Sequence, residues 1–508
     1  MTAFADLIHV GARFGVSRAA SVCFAPAPSI DSNVTMVTTN MGGLKQAIRR
    51  GALGASGVDH GVDLREAFVV WAKVAVHSFG GPAGQIAVMH RFLVDERRWI
   101  SEQRFLHALN FCMLLPGPEA QQLATYIGWL MHGNVGGVMA GVLFILPGVL
   151  AILALSLAYA TLGGVPVVDG LLFGLQAAVV AVVVNAVLRI GRRALATPAH
   201  VALAAAAFVA IFFLELPFPL IVLAAGGIGF IIGRVRPAVF TLGGHDGGGS
   251  RGRQAIITDD DPGVSSRTAR SALRAAGIAL LLWLAPVALM ATVLGVNHLF
   301  TQEAVLFSKS AMVTFGGAYA VLAYIAQEAV GTYGWLRPSE MLTGLGLAET
   351  TPGPLIMVVQ FVGFMAAYRA PGSLDPVAAG VLGSAVATWV TFAPCFFFIF
   401  VGAPFIERLR GNRALGAALS AITAAVVGVV LNLAVWFTIN TAFANVDAVH
   451  WHGIRLLRPD WSSVNLTAVA ITMVAAIAVL RLKVNVMTTL LACAGLGLLS
   501  AVTVGAPS

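Results

Sequence analysis

Four short runs in this chain set hydrogen-bond donors beside residues that interrupt helices. Lys73, His77 and Ser78 lead into Gly80, Gly81, Gly84 and Gln85, and Asn110 leads into Pro116-Gly117-Pro118 with Glu119 and Gln122 behind it. Lys309 and Thr314 lead into Gly316 and Gly317, and Thr350 and Thr351 into Pro352-Gly353-Pro354. Glycine and proline at this density release backbone N–H and C=O groups from a helical ladder. N–H groups at the start of a half-helix, beside hydroxyls, amides and a lysine, suit an anion that carries only acceptor oxygens. These eighteen residues are the candidate substrate-binding set; no catalytic group, metal ligand or cofactor is expected.

Each member also has a plainer reading. Gly-Pro interruptions serve as kinks or tight-packing points in membrane helices, and Lys73 and Lys309 can snorkel or pair with a carboxylate. Glu119 can cap its half-helix or carry a coupling proton, and His77 can be a packing residue. Asn110, Gln121 and Gln122 can act as interhelical glue. Register favours the functional reading for the set. Subtracting 236 places Phe315-Gly316-Gly317 on Phe79-Gly80-Gly81, Pro352-Gly353-Pro354 on Pro116-Gly117-Pro118, Lys309 on Lys73 and Thr314 on Ser78. A second register, 247, carries Pro394 onto Pro147 and Asn432 onto Asn185. The chain is an internal duplication.

The elements that must position these residues are set by composition. With 58% hydrophobic and 11% charged residues, the chain lacks the polar surface of a soluble globule. An all-α polytopic membrane protein is predicted, with two inverted-topology repeats, discontinuous helices and about 13 transmembrane spans. The predicted spans are 64–82, 105–131, 137–160, 167–188, 198–214, 217–233, 272–294, 304–325, 341–367, 378–401, 412–440, 464–480 and 484–503. Arginine-rich connections such as Arg189 to Arg193 and Arg408 to Arg410 are assigned to the cytoplasm, which puts the N-terminus inside and the C-terminus outside. The basic loop follows the span ending at Asn185 in copy one but precedes the span ending at Asn432 in copy two, so the copies face opposite ways. Interrupted helices in inverted repeats are the signature of a secondary transporter.

The predicted organisation is a basic disordered extension at 1–62, a first repeat at 63–238, a polar linker at 239–271, an inverting helix at 272–295 and a second repeat at 296–505. The net charge of +8 lies in short connections rather than on one aromatic-laced face, which argues against nucleic acid and for a lipid bilayer as the partner surface. Asp259-Asp260-Asp261 sits in the Gly-rich linker and reads as a solvated loop. A membrane-embedded enzyme would need clustered carboxylates or an H-E-x-x-H motif within its spans, and neither occurs. No Gly-Lys dipeptide is present, so there is no Walker A loop. The sequence leaves a homo-oligomer open.

The ordered string Phe79-Gly80-Gly81-Pro82-Ala83-Gly84-Gln85, Met89-His90-Arg91, Glu96-Arg97-Arg98-Trp99 and Asn110 through Gln122 closely resembles the chromate ion transporter family in its long, two-domain form. The resemblance runs from about residue 64 to 503 and is densest over 73–133. It implies a carrier of the bacterial inner membrane that exports chromate and confers chromate resistance, with sulfate as a chemically similar oxyanion.

Overall fold

The computed structural model describes residues 61–235, 256–257, 266–315, 317–405, 413–452 and 454–504. The predicted extension, up to residue 60, and most of the predicted linker lie outside them. A chain this apolar must pair its backbone within each segment, and helices do so. The described residues form sixteen α-helices and one two-stranded hairpin, an all-α polytopic membrane protein. Seven helices are long and apolar enough to cross a membrane, and Pro198–Phe212, Leu355–Arg369 and Leu466–Arg481 are shorter apolar ones.

The difference from the predicted 13 or so spans lies at the four predicted interruptions, where the chain turns back on itself. Helix α1 (Leu64–His77) is followed by α2 (Gly81–His90), which runs on as a π-helical turn, Arg91–Glu96. Arg97 then reaches Glu66 near the start of α1 at 3.0 Å. Helix α3 (Glu102–Leu114) folds against the first limb of α4 (Glu119–Leu162), with the Phe111 and Tyr126 rings 5.3 Å apart. Helix α4 itself breaks at His132 and Gly133, so Gly128 of its first limb packs on Gly136 of its second.

Three helices of the first half remain: α5 (Pro166–Ala194), α6 (Pro198–Phe212) and α7 (Phe218–Val235). A connecting helix, α8 (Ser266–Val293), leads to the second half. There α9 (Leu299–Met312) and α10 (Ala318–Ala326) form a third folded pair, with Phe307 on α9 near Trp335 beyond α10. Helices α11 (Pro338–Thr350) and α12 (Val358–Arg369, preceded by a 3-10 turn at Leu355–Met357) form the fourth. Glu340 near the start of α11 pairs with Arg369 at the end of α12, and a Cβ on Gly344 would stand 2.6 Å from the Phe361 ring. Backbone dihedrals make the reversals possible: φ is 81° at Gly80, 68° at Gly81, 126° at Gly117, 112° at Gly317 and 101° at Gly353, a region that glycine occupies without strain.

The duplication extends to element boundaries. An offset of 236 lays α9, α10, its π-helical turn and α11 on α1, α2, theirs and α3 to within a residue or so. Helix α13 (Pro376–Gly402) follows, and at 247 α14 (Arg413–Ala442) falls on α5. The last two helices, α15 (Leu466–Ala476) and α16 (Val486–Val504), start 268 residues after α6 and α7. The further 21-residue shift is accounted for by a segment that the sequence reading did not anticipate, the antiparallel hairpin β1 (Val446–Trp451) and β2 (Ile454–Pro459). Arg455 pins it to the α6–α7 connection, donating its backbone N–H to the Phe213 carbonyl at 2.8 Å and pairing with Glu215 at 3.0 Å.

Each half lends its last helix to the other. Gly229 on α7 lies against Ala417 and Ala421 of α14, and Gly497 on α16 lies against Gly170 and Gly174 of α5, the same contact once the offsets are applied. Small residues permit this close approach where lipid supplies no hydrophobic drive between helices. A Cβ on Gly174 would fall 2.0 Å from the Cys493 carbonyl oxygen, whereas one on Gly227 meets nothing within 4 Å. Gly174→Ala is therefore expected to cost about 1–3 kcal/mol by overpacking. Gly227→Ala is expected to be neutral or to stabilise by up to about 1 kcal/mol. Thermal unfolding of the two detergent-purified variants checks the opposite signs.

Candidate functional site

The turns of the folded pairs meet crosswise. Gly117 N–H, at the α3–α4 turn, donates to the Thr314 carbonyl at the α9–α10 turn at 2.9 Å. Gly353 N–H, at the α11–α12 turn, donates to the Ser78 carbonyl at the α1–α2 turn at 3.0 Å. These are one bond made twice, since 353 and 314 are 117 and 78 shifted by 236. The seats behind them also correspond: a Cβ on Gly117 would stand 3.0 Å from Cys395 Sγ, and one on Gly353 would stand 3.1 Å from Gly148 Cα, positions related by the offset 247. Ser78, Gly117, Thr314 and Gly353 are all buried.

Four half-helices, α2, the first limb of α4, α10 and the 3-10 turn leading into α12, begin at these turns, and none has a side-chain cap. Their first N–H groups have no partner within their own helix. The paired half-helices α1, α3, α9 and α11 end at the same turns, so the macrodipoles largely cancel at a distance, and local N–H direction decides what binds. Where free hydroxyl donors were expected, the hydroxyls serve their own helices. Ser78 Oγ donates to the Val74 carbonyl and Thr314 Oγ1 to that of Ser310, both at 2.6 Å, and Thr350 and Thr351 donate to Leu347 and Ala348. The last carbonyls of a helix lack N–H partners, and a hydroxyl one turn on supplies one.

Unspent polar atoms at these turns belong instead to glutamines. Gln85 on α2 donates from Nε2 to the Gly353 carbonyl at 2.5 Å, and Gln122 on α4 donates to the Pro116 carbonyl at 2.7 Å. Both are fully buried, as is Gln121. Gln85 Oε1, Gln122 Oε1 and both polar atoms of the Gln121 amide find no hydrogen-bond partner. A buried polar atom left this way costs about 1–3 kcal/mol, and three amides gather at this one turn system. Gly84 is structural: a Cβ there would meet the Phe79 carbonyl at 2.3 Å.

Other members of the set lie farther out. Lys73 and His77 are exposed on α1, the His77 ring resting 2.8 Å from the Lys73 carbonyl, and Asn110 is exposed on α3. Lys309 is exposed on α9 in an apolar groove of about 380 Å³ beside Trp283, Leu284 and Phe398. Glu119 is half-buried at the first position of α4, Gly80 and Gly81 form the α1–α2 turn, and Gly317 opens α10. Gly316 lies outside the described residues.

Two groups in the second half lie outside the predicted set, Glu349 although the sequence marks it as an ionisable residue beside a break. Glu349, buried at the end of α11, accepts a hydrogen bond from Tyr319 OH at the start of α10. Farther from the turns, Glu340 closes the base of the α11–α12 pair. It accepts Arg337 N–H at 2.8 Å, Arg337 Nη2 at 3.1 Å and Tyr159 OH at 3.3 Å, besides its pairing with Arg369. This cluster lines a polar cavity of about 850 Å³ with Asp169, Gln176, Asn440 and Asn465. The available signal was a carboxylate at the edge of an apolar run. Of the predicted set, Lys309 lines the apolar groove and none lines the polar cavity, and at the crossings themselves Gly117 and Gly353 leave no room for a Cβ.

An all-helical membrane protein whose folded half-helix pairs meet at their turns belongs by its architecture among carriers with interrupted helices. Residues 65–230 and 301–498 match the family described as chromate transporter. A chromate transport protein of Pseudomonas aeruginosa is 34% identical over 72% of this chain and 78% of its own length. That of Cupriavidus metallidurans is 26% identical over 72% and 80%, and a probable chromate transport protein of Synechococcus elongatus is 25% identical over 72% and 82%. No solved structure matches the chain. The chain belongs to the chromate transporter family.

Burial acts against ionisation of Glu340, but hydrogen bonds from Arg369 and Arg337 outweigh it and hold the carboxyl at about 2, below its ordinary 4.5. The stabilisation is therefore complete above the ordinary value and is lost as pH falls through about 2. Arg369→Ala removes donors from a buried carboxylate and is expected to destabilise by about 2 kcal/mol at pH 7. The gap from wild type narrows as pH drops below 4, measurable as unfolding midpoints at several pH values.

Proposed function

We propose that this protein is a secondary, potential-driven carrier that moves chromate out of the cytoplasm by alternating access, and that it is not an enzyme. The single observation that carries this reading is the double crossing. Uncapped half-helix starts meet at two equivalent backbone bonds, beside three buried glutamines with polar atoms unspent. Chromate is a tetrahedral dianion that only accepts hydrogen bonds. A glutamine amide that rotates about its last bond exchanges its C=O for an NH2 and becomes a donor, and breaking either crossing frees Gly117 or Gly353 N–H.

Inversion of the two copies supplies the two conformations. His132 meets the Val62 carbonyl at 3.0 Å, which puts the bases of the α1–α2 and α3–α4 pairs at one end of the bundle. The second limb of α4 carries the chain to Tyr159 and the cavity where Glu340 and Arg369 close the α11–α12 pair. On this reading copy one's pairs enter from the cytoplasmic face, where Arg189 to Arg193 lie, and copy two's enter from the other. Their turns meet near the bilayer midplane, in the arrangement that inverted-repeat carriers use. The close packing at the crossing corresponds to an occluded state; opening one crossing admits solvent from one side.

The driving force needs no nucleotide. Moving one charge through the membrane potential is worth about 2.3 kcal/mol per 100 mV, so an uncompensated dianion leaving a negative interior gains about 4.6 kcal/mol per 100 mV. The location proposed is the bacterial inner membrane, with the lipid bilayer as surroundings. A sulfate importer or exchanger is the competing reading, because sulfate shares shape and charge with chromate.

Chromate flux in proteoliposomes under an imposed potential, with and without excess sulfate, tests the assignment. Potential-driven chromate movement that sulfate inhibits weakly supports the exporter, and sulfate flux that chromate merely inhibits supports the alternative. Gln85→Leu and Gln121→Leu are each expected to lower chromate flux about tenfold or more, equivalent to about 1.4 kcal/mol, at unchanged yield of inserted protein. Full flux in both variants removes the glutamines from the site.

A further inference from the structure

We propose that Glu349 is a proton-dependent gate on the anion site, so that one proton travels with each dianion. The inference rests on the carrier reading above and adds to it the coupling ion. Glu349 is 4% exposed and sits four residues before Gly353, whose N–H makes one of the two crossings. Its carboxyl is joined to Tyr319 OH, two residues after Gly317 in the first turn of α10, so the pair ties the α11 end to the half-helix start beside the other crossing. In copy one the same positions are Met113 and Ala83, so the pair is a property of one half only.

Two ionisable side chains bear on Glu349: Tyr319, and Arg189 at the end of α5, which contributes a favourable positive field. Other elements packed on α11 bring few further groups. Helix α12 ends in Tyr368 and Arg369, at the opposite end of the pair and beside Glu340, and α16 carries Cys493. Helix α4 carries Glu119 at its first position, Tyr126 in its first limb, His132 at its break and Tyr159 at the Glu340 end, and α5 carries Asp169 near its start and Arg192 and Arg193 beyond Arg189. Helix α14 offers no ionisable side chain beyond Arg413 at its start.

An ionised carboxylate beside N–H groups that must receive a dianion opposes entry through like-charge repulsion in a poorly screened interior. Protonation removes that charge and with it the repulsion. The proton is taken up with the anion on one side and released to water on the other, where the emptied site favours the carboxylate again. Atoms and charge balance: one dianion and one proton cross together, so a net single negative charge moves outward and the electrical gain is half that of the bare dianion.

The test uses the full chain in proteoliposomes with a pH-sensitive dye inside and chromate as the probe, for wild type, Glu349→Gln and Tyr319→Phe at matched, monodisperse yield. In wild type, chromate addition is expected to carry protons in the same direction at one per anion. Above the carboxyl's titration, KM for chromate is expected to rise about tenfold per pH unit. Glu349→Gln is expected to keep chromate flux, lose the proton signal and show a flat KM against pH. Tyr319→Phe keeps the carboxyl and is expected to keep the coupled proton, with the KM profile displaced. Chromate flux in wild type without proton movement, or a proton signal and pH-dependent KM that survive Glu349→Gln, overturns the gate while leaving the carrier intact. Absence of chromate flux in wild type overturns the carrier reading and the gate with it.

Discussion

Two backbone hydrogen bonds, Gly117 to Thr314 and Gly353 to Ser78, hold the centre of this molecule together. Each interruption exposes peptide groups that a continuous helix would have paired, and inside a bilayer an unpaired group costs several kcal/mol. The chain solves this by letting one copy's turn satisfy the other's. Neither half can complete its turns alone. Four interruptions that would each be a defect are joined in pairs by these two bonds, with the side-chain amides of Gln85, Gln121 and Gln122 beside them partly unspent.

The exchanged helices serve the same constraint. Crossed turns stay in register only if the halves cannot drift, and α7 on α14 and α16 on α5 clamp them through Gly229 and Gly497. At such contacts backbone lies almost on backbone, which leaves no room for a side chain larger than glycine. A clamp at the periphery with breakable bonds at the centre is the division that the proposed alternating access calls for.

Much of this was legible in the sequence because the interruptions are written in residue types with fixed conformational consequences. Gly80, Gly81, Gly117, Gly317 and Gly353 all take positive φ, as glycine in a helix-breaking run should. The offsets of 236 and 247 located corresponding elements because each copy needs the same turns. Direction of travel after a break was not legible. A Pro-Gly-Pro run says that a helix stops and restarts, not whether the next helix continues or folds back, and the contact that decides, such as Glu340 with Arg369, joins residues 29 apart. Hydroxyls misled for a related reason: Ser78 and Thr314 lie one turn beyond orphan carbonyls, and local geometry claims their protons first. The hairpin at Val446–Pro459 was hidden because a polar connection between two strong apolar runs reads as a loop.

The duplication is symmetric in backbone and asymmetric in charge, and the asymmetry carries its own meaning. Copy two holds buried carboxylates at Glu303, Glu340 and Glu349, where copy one has Ala67, Arg104 and Met113. Neither oxygen of Glu303 finds a hydrogen-bond partner, a costly arrangement for an ion and a tolerable one for a neutral acid. Copy one holds Gln85, Gln121 and Gln122, where copy two has Val321, Met357 and Val358. Neutral amides on one side of the crossings and acids on the other suit a division in which one copy shapes the seat for an oxyanion and the other governs when that seat is free of competing charge. A carrier built from two identical halves would present the same chemistry to both faces of the membrane. Unlike side chains on a like backbone let the two halves carry different chemistry at corresponding positions.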